Sequence, residues 1–107
     1  MGEKKLFYRH DAQGRIWLIE DNHSHKVMDA FPDPLACAIV HELNEAVWAG
    51  RCNGGTSGYY ADDDRVYAKH GPHEDRWHLV PVLDLTPEQA QAFAHELHQA
   101  GQMGAHR

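Results

Sequence analysis

Residues 31–46 read F-P-D-P-L-A-C-A-I-V-H-E-L-N-E-A, and residues 85–100 read L-T-P-E-Q-A-Q-A-F-A-H-E-L-H-Q-A. Laid one above the other, Ala36, Ala38, His41, Glu42, Leu43 and Ala46 match Ala90, Ala92, His95, Glu96, Leu97 and Ala100. In both stretches the apolar residues recur with the 3.6-residue period of a helix, and strand-like residues precede each. The chain therefore reads as two strand-then-helix units sharing one small core. The starts of the helices, at Asp33 and Thr86, lie 53 residues apart, while the two H-E-L triplets lie 54 apart. A generic amphipathic pattern and a true duplication both fit that spacing.

The start signals are local and chemical. Asp33 before Pro34 supplies a cap oxygen and a first-position proline, whose missing N–H is no loss there. Thr86-Pro87-Glu88-Gln89 adds a glutamine that can return the hydrogen bond to the cap. Leu35, Ala36, Ile39, Val40, Leu43, Ala46 and Val47 form the core face of the first helix, with Cys37, His41, Asn44 and Trp48 opposite. Ala90, Phe93, Ala94 and Leu97 form that of the second, and the tail from Gly101 is expected to fray.

Residues 5–10 and 15–20 flank Asp11-Ala12-Gln13-Gly14 and read as a hairpin. A third strand is expected at 26–31. Residues 59–70 read as strand, turn at Asp62-Asp63-Asp64, and strand. Gly71-Pro72-His73-Glu74-Asp75 turns again into a strand at 77–83, in which Pro81 demands an edge or a bulge. The expected fold is α+β, a small antiparallel β-sheet with two α-helices packed on it, as two β-β-(β)-α units. One domain, 1–107, would comprise a strand-helix unit at 5–49, a glycine-rich connector at 50–58 and a second strand-helix unit at 59–101.

Composition narrows the function. At 107 residues, 42% hydrophobic and 24% charged, the chain has the make-up of a globular domain. No apolar run reaches the roughly 20 residues of a membrane-spanning helix, so no membrane partner is expected. The first residues lack the apolar stretch of a secretory signal, and a cytoplasmic location is expected. A net charge of −6 opposes direct nucleic-acid binding, which needs a basic stripe. Protonating all ten histidines would carry that charge to +4. Cys37 and Cys52, near the two ends of the first helix, stand about 20 Å apart along its axis. A disulfide needs about 4.4–6.8 Å, so none is expected.

Candidate chemistry is dispersed. His23 and His25 flank Ser24, His70 and His73 flank Gly-Pro, and His95 and His98 lie one helical turn apart; imidazoles so spaced can share a metal. H-E-L-H is not the H-E-x-x-H zinc-hydrolase motif, however, and the cysteines form no C-x-x-C pair. Cys37 and His41 form an i, i+4 thiol–imidazole pair without an evident third member. Gly50-Arg-Cys-Asn-Gly-Gly-Thr56 lacks the lysine and the following helix of a phosphate loop. No catalytic residue, cofactor or metal is assigned on this basis.

What remains is a surface. Tyr59, Tyr60, Tyr67 and Trp77 are interleaved with Asp62, Asp63, Asp64, Glu74 and Asp75. Rigid aromatics give contact area at low entropic cost, and the carboxylates steer toward a basic partner. With an outward Trp48, these ten residues form the expected partner-binding set. The stretch 15–46, W-L-I-E-D…K-V-M-D-A-F…A-C-A-I-V-H-E-L-N, resembles small hairpin-plus-helix proteins of bacteriophages and mobile elements, anti-CRISPR and other anti-defence proteins among them. That resemblance implies a non-catalytic inhibitor that occludes a host protein or complex, and it transfers no catalytic residues. Two alternatives stand beside it: a zinc-binding protein or small metal-dependent hydrolase using the paired histidines, and a homodimer formed through the Cys37–Trp48 helix face.

Overall fold

Asp11 folds the first hairpin around itself. Its Oδ1 accepts the backbone N–H groups of Gln13 and Arg15 at 2.9 and 3.0 Å, and its Oδ2 accepts Arg15 Nε at 2.7 Å and the Trp17 indole N–H at 2.9 Å. Those donors, the Trp17 indole foremost, hold the carboxyl well below the usual carboxylate range. Gly14 closes the turn at φ +78°, and a Cβ there would stand 1.9 Å from the Phe31 carbonyl oxygen. Glycine is needed both for the turn and for the close passage of Phe31, whose N–H donates to the Gly14 oxygen at 3.1 Å.

The structure is a computed structural model describing residues 5–54, 57–71 and 73–106. The first four residues, connector residues 55–56 and Pro72 of the third turn lie outside the described residues. Strands β1 (Leu6–His10), β2 (Ile16–Glu20) and β3 (His23–Met28) form one antiparallel sheet, followed by α1 (Asp33–Asn53). Strands β4 (Gly58–Asp62), β5 (Arg65–Lys69) and β6 (His78–Leu79) form a second, followed by α2 (Pro87–Ala105). The fold is thus α+β, as expected, with its strands divided between two three-stranded sheets in the order βββα, βββα. Among the described residues no helix is long and apolar enough to cross a membrane.

The third strand, expected from residue 26, already starts at His23, and further boundaries differ from the sequence reading for physical reasons. The third strand ends at Met28 because Phe31 is drawn under the first turn. The strand expected at 77–83 pairs only at His78–Leu79. Val80 still donates to the Val66 oxygen at 2.8 Å, but Pro81 has no N–H and Val82 turns back to the Val80 oxygen at 2.7 Å. Helix α1 begins one residue early: Pro32 is its cap residue, no side chain caps it, and Asp33 lies in the first turn. Finally, the connector does not begin at residue 50. The helix runs to Asn53 and is closed by Gly54 in the left-handed region, φ 64°. The α2 start is as read, with Gln89 N–H on Thr86 Oγ1 at 3.1 Å and Thr86 N–H on Gln89 Oε1 at 2.9 Å.

The helices cross where their side chains vanish. A Cβ on Gly50 would stand 2.0 Å from the Gly101 oxygen, and one on Gly104 would stand 2.1 Å from the Val47 oxygen. Shifting by 54 residues carries Gly50 to Gly104 and Val47 to Gly101, so the two contacts are one contact seen from either side. The tail expected to fray is therefore helical to Ala105, with Gly101 and Gly104 buried.

The repeated H-E-L letters follow the same 54-residue correspondence. Leu43 and Leu97 fill the core, while His41 and His95 face solvent. Each glutamate acts on a tyrosine of the opposite half, Glu96 through a hydrogen bond and Glu42 through its charge alone. The buried Tyr8 donates its O–H to Glu96 Oε2 at 2.9 Å. Burial pushes the Tyr59 phenol up to about 12, and the Glu42 carboxylate adds to that rise. Burial likewise raises Glu96 above its ordinary 4.5, against the lowering effect of the Tyr8 hydrogen bond.

A group that holds its proton more tightly when folded weakens the fold as it ionises. Stability should therefore fall as pH climbs from the ordinary glutamate value through the raised one. Glu96→Gln, which keeps an acceptor for Tyr8, should flatten that part of the profile and raise the melting temperature at pH 7 relative to pH 4. Tyr8→Phe should cost about 1–2 kcal/mol at pH 7 by stranding a half-buried carboxylate. Thermal melts from pH 4 to 8 test both, and parallel profiles for Glu96→Gln and wild type would refute the assignment.

Candidate functional site

Strand alternation decides which aromatics meet. On the second sheet Tyr60 lies directly opposite Tyr67, and Tyr67 opposite Leu79. The two tyrosine rings stack at 5.2 Å and 18°, and Trp77 meets Tyr60 edge-on at 4.8 Å and 88°. Lys69 Nζ lies 5.6 Å over the Trp77 ring. The indole settles on Gly58, where a Cβ would come within 3.2 Å of it. Tyr60, Trp77 and Leu79 remain 41%, 43% and 42% exposed.

Tyr59, grouped with them from sequence, belongs to the opposite face. Its hydroxyl is buried, and its ring meets His70 edge-on at 5.8 Å. Asp62, Asp63 and Asp64 are exposed at the end of the same hairpin, Asp63 with φ 56°. Glu74 has a structural task. It accepts the His70 N–H at 2.6 Å and pairs with His78 Nε2, and these bonds, the backbone one first, hold its carboxyl below the usual range. Asp75 is exposed. Trp48, 63% exposed, stands on α1. Its expected neighbour Asn44 instead turns to β1, bonding both backbone groups of Tyr8.

The paired histidines do not gather. His23, His25, His70, His73, His95 and His98 are all exposed, and none belongs to a group of three potential metal ligands among the described residues. His23 and His25 stack at 6.3 Å. His95 and His98 border a shallow depression with Tyr59, Tyr60, Ala61 and Gln91.

A different set does converge. His10 ends β1, and Asp33 and Cys37 lie one turn apart on α1, so the hairpin brings an imidazole against the helix start. Cys37 Sγ is 3.3 Å from His10 Nε2, and Asp33 Oδ1 is 3.9 Å from His10 Nδ1. One donor atom from each of the three lies within 4.8 Å of the others. The sequence reading paired Cys37 with His41; the imidazole against the thiol is that of His10. The spacing of Asp33 and Cys37 was visible in the sequence, but their approach to a residue 23 positions before Asp33 was not.

Comparison with protein-family models, with curated proteins and with solved structures gave no match.

Proposed function

We propose that the chain is a non-catalytic protein-binding module that docks a basic partner on the outer face of its second sheet. The observation that carries this reading is the Tyr60–Tyr67–Trp77 cluster, with Tyr60 and Trp77 exposed and Tyr67 half-buried, held in fixed ring geometry with Leu79 beside it. Aromatic anchors already locked against each other lose little freedom on binding, which is what interface hot spots require. The Asp62–Asp64 turn, with Asp75 and a chain charge of −6, favours a partner of positive potential. The narrower role implied by the resemblance is occlusion of a host protein's surface by a phage-encoded inhibitor. It would use such a face, in the reducing cytoplasm that two unpaired cysteines suit, and is part of the same proposal.

The test is capture from a bacterial lysate, compared across variants. Wild-type protein should retain a saturable partner at a stoichiometric ratio, and Tyr60→Ala with Trp77→Ala should weaken retention by about a hundredfold. Asp63→Lys should slow association, most clearly at low salt. Trp48→Ala, on α1, should change nothing. Retention that survives the double substitution, or depends on Trp48, would refute the assignment to this face.

A further inference from the structure

We propose that His10, Asp33 and Cys37 bind one zinc-class divalent cation, leaving one coordination position open to solvent. The donors are an imidazole nitrogen, a thiol sulfur and a carboxylate oxygen. Calcium and magnesium select oxygen ligands; this mixed set suits a borderline-soft cation that accepts four ligands in a tetrahedron. Metal–ligand bonds of about 2.0–2.3 Å at tetrahedral angles separate donor atoms by about 3.3–3.8 Å. Sγ and Nε2 already stand 3.3 Å apart. Asp33 needs to move farthest, and its side chain, 82% exposed, is free to turn.

The surroundings orient the imidazole for this task. His10 Nδ1 lies 3.3 Å from the Asp11 carbonyl oxygen. A proton on Nδ1 shared with that oxygen leaves the Nε2 lone pair facing Cys37, the outer arrangement that metal-bound histidines use. Asp11 is itself pinned by the donors that close the first hairpin, so the carbonyl is fixed.

The second half of the molecule supplies the control. There Ala61 follows Tyr59 by two residues on one strand face, as His10 follows Tyr8. The helical shift of 54 places Pro87 at Asp33 and Gln91 at Cys37. Ala61 and Gln91 again border one surface depression, yet neither side chain is a metal ligand there. The second helix thus starts with Pro87 and Gln91 at the positions of Asp33 and Cys37.

The experiment uses the full, untagged chain purified without metal. Cobalt(II) titration should saturate at one equivalent, with the thiolate-to-metal charge-transfer band and the intense visible bands of a tetrahedral site. Zinc should displace cobalt, with a dissociation constant in the micromolar range or tighter by chelator competition. Cys37→Ser should abolish the charge-transfer band, His10→Gln should weaken zinc by about a hundredfold, and Asp33→Asn by about tenfold. Circular dichroism should show all three still folded. Cys52→Ser and His95→Gln with His98→Gln should bind as wild type. No saturable binding would leave a thiol–imidazole hydrogen bond as the whole account and overturn the proposal. So would binding that persists in Cys37→Ser or vanishes in Cys52→Ser.

Discussion

Replacing Gly104 with alanine is expected to destabilise the fold by about 3 kcal/mol, although alanine is the better helix former by about 1 kcal/mol. The reason is distance: the new Cβ would lie 2.1 Å from the Val47 carbonyl oxygen, a backbone atom that no rotamer change can move. The helices would have to part, opening the core around Leu43, Phe93 and Leu97, all of them buried. Gly50→Ala should cost a similar amount, since its Cβ would stand 2.0 Å from the Gly101 oxygen in the mirrored contact. Gly101→Ala is the internal control. Its Cβ would meet the Ala46 oxygen at 3.8 Å and the Tyr59 ring at 4.0 Å, which are ordinary contacts, so helix propensity should prevail. That variant should match the wild type or exceed it by up to about 1 kcal/mol. Gly50→Ala with Gly104→Ala should cost less than the sum of the two, because helices already parted by one substitution accommodate the other. Urea unfolding decides. If Gly104→Ala proves as stable as Gly101→Ala, the helices do not cross as described.

The same glycines show where the sequence was legible and where it was not. Two signals confined to four or five neighbouring residues were readable, the Thr86–Gln89 box and the Asp11–Gly14 turn, whereas the equally local Asp33 lies inside the first turn of α1 and does not cap it. Gly50, by contrast, looked like the start of a linker, and Gly101 like the start of a frayed end. A helical glycine buried against another backbone and a loop glycine are the same letter, and only the opposite helix distinguishes them. Each half holds such a glycine because each half uses the same device. Carrying the 54-residue alignment four positions beyond Ala46 and Ala100 sets Gly50 opposite Gly104, so a trace of the crossing was present in the chain. Alternation also separates Tyr59 from Tyr60, since neighbours on a strand cannot share a face. The approach of His10 to Asp33 and Cys37 had no local trace. It depends on how a strand end meets a helix start, which is a property of the packed molecule.

Asn44 carries the other large expectation. Its Oδ1 accepts the Tyr8 N–H at 2.7 Å, and its Nδ2 donates to the Tyr8 carbonyl at 3.1 Å. One side chain thus supplies the donor and acceptor that a neighbouring strand would give to the outer edge of β1. Asn44→Ala leaves both groups facing α1 without a partner, at about 1–3 kcal/mol each where water cannot enter. The site is half-buried, so the expected loss is about 2–3 kcal/mol in total. Asn44→Asp separates the two bonds: the carboxylate can still accept from the amide but cannot donate to the carbonyl, and stability should fall between wild type and alanine. The direct readout is hydrogen exchange at the Tyr8 amide, which should lose protection in Asn44→Ala beyond what the global loss of stability explains. An uncovered β1 edge also offers its unpaired groups to another chain, so this variant should associate at concentrations where the wild type does not. Unchanged exchange at Tyr8 would mean that solvent, not Asn44, satisfies the strand edge, and α1 would then cover β1 by apolar packing alone.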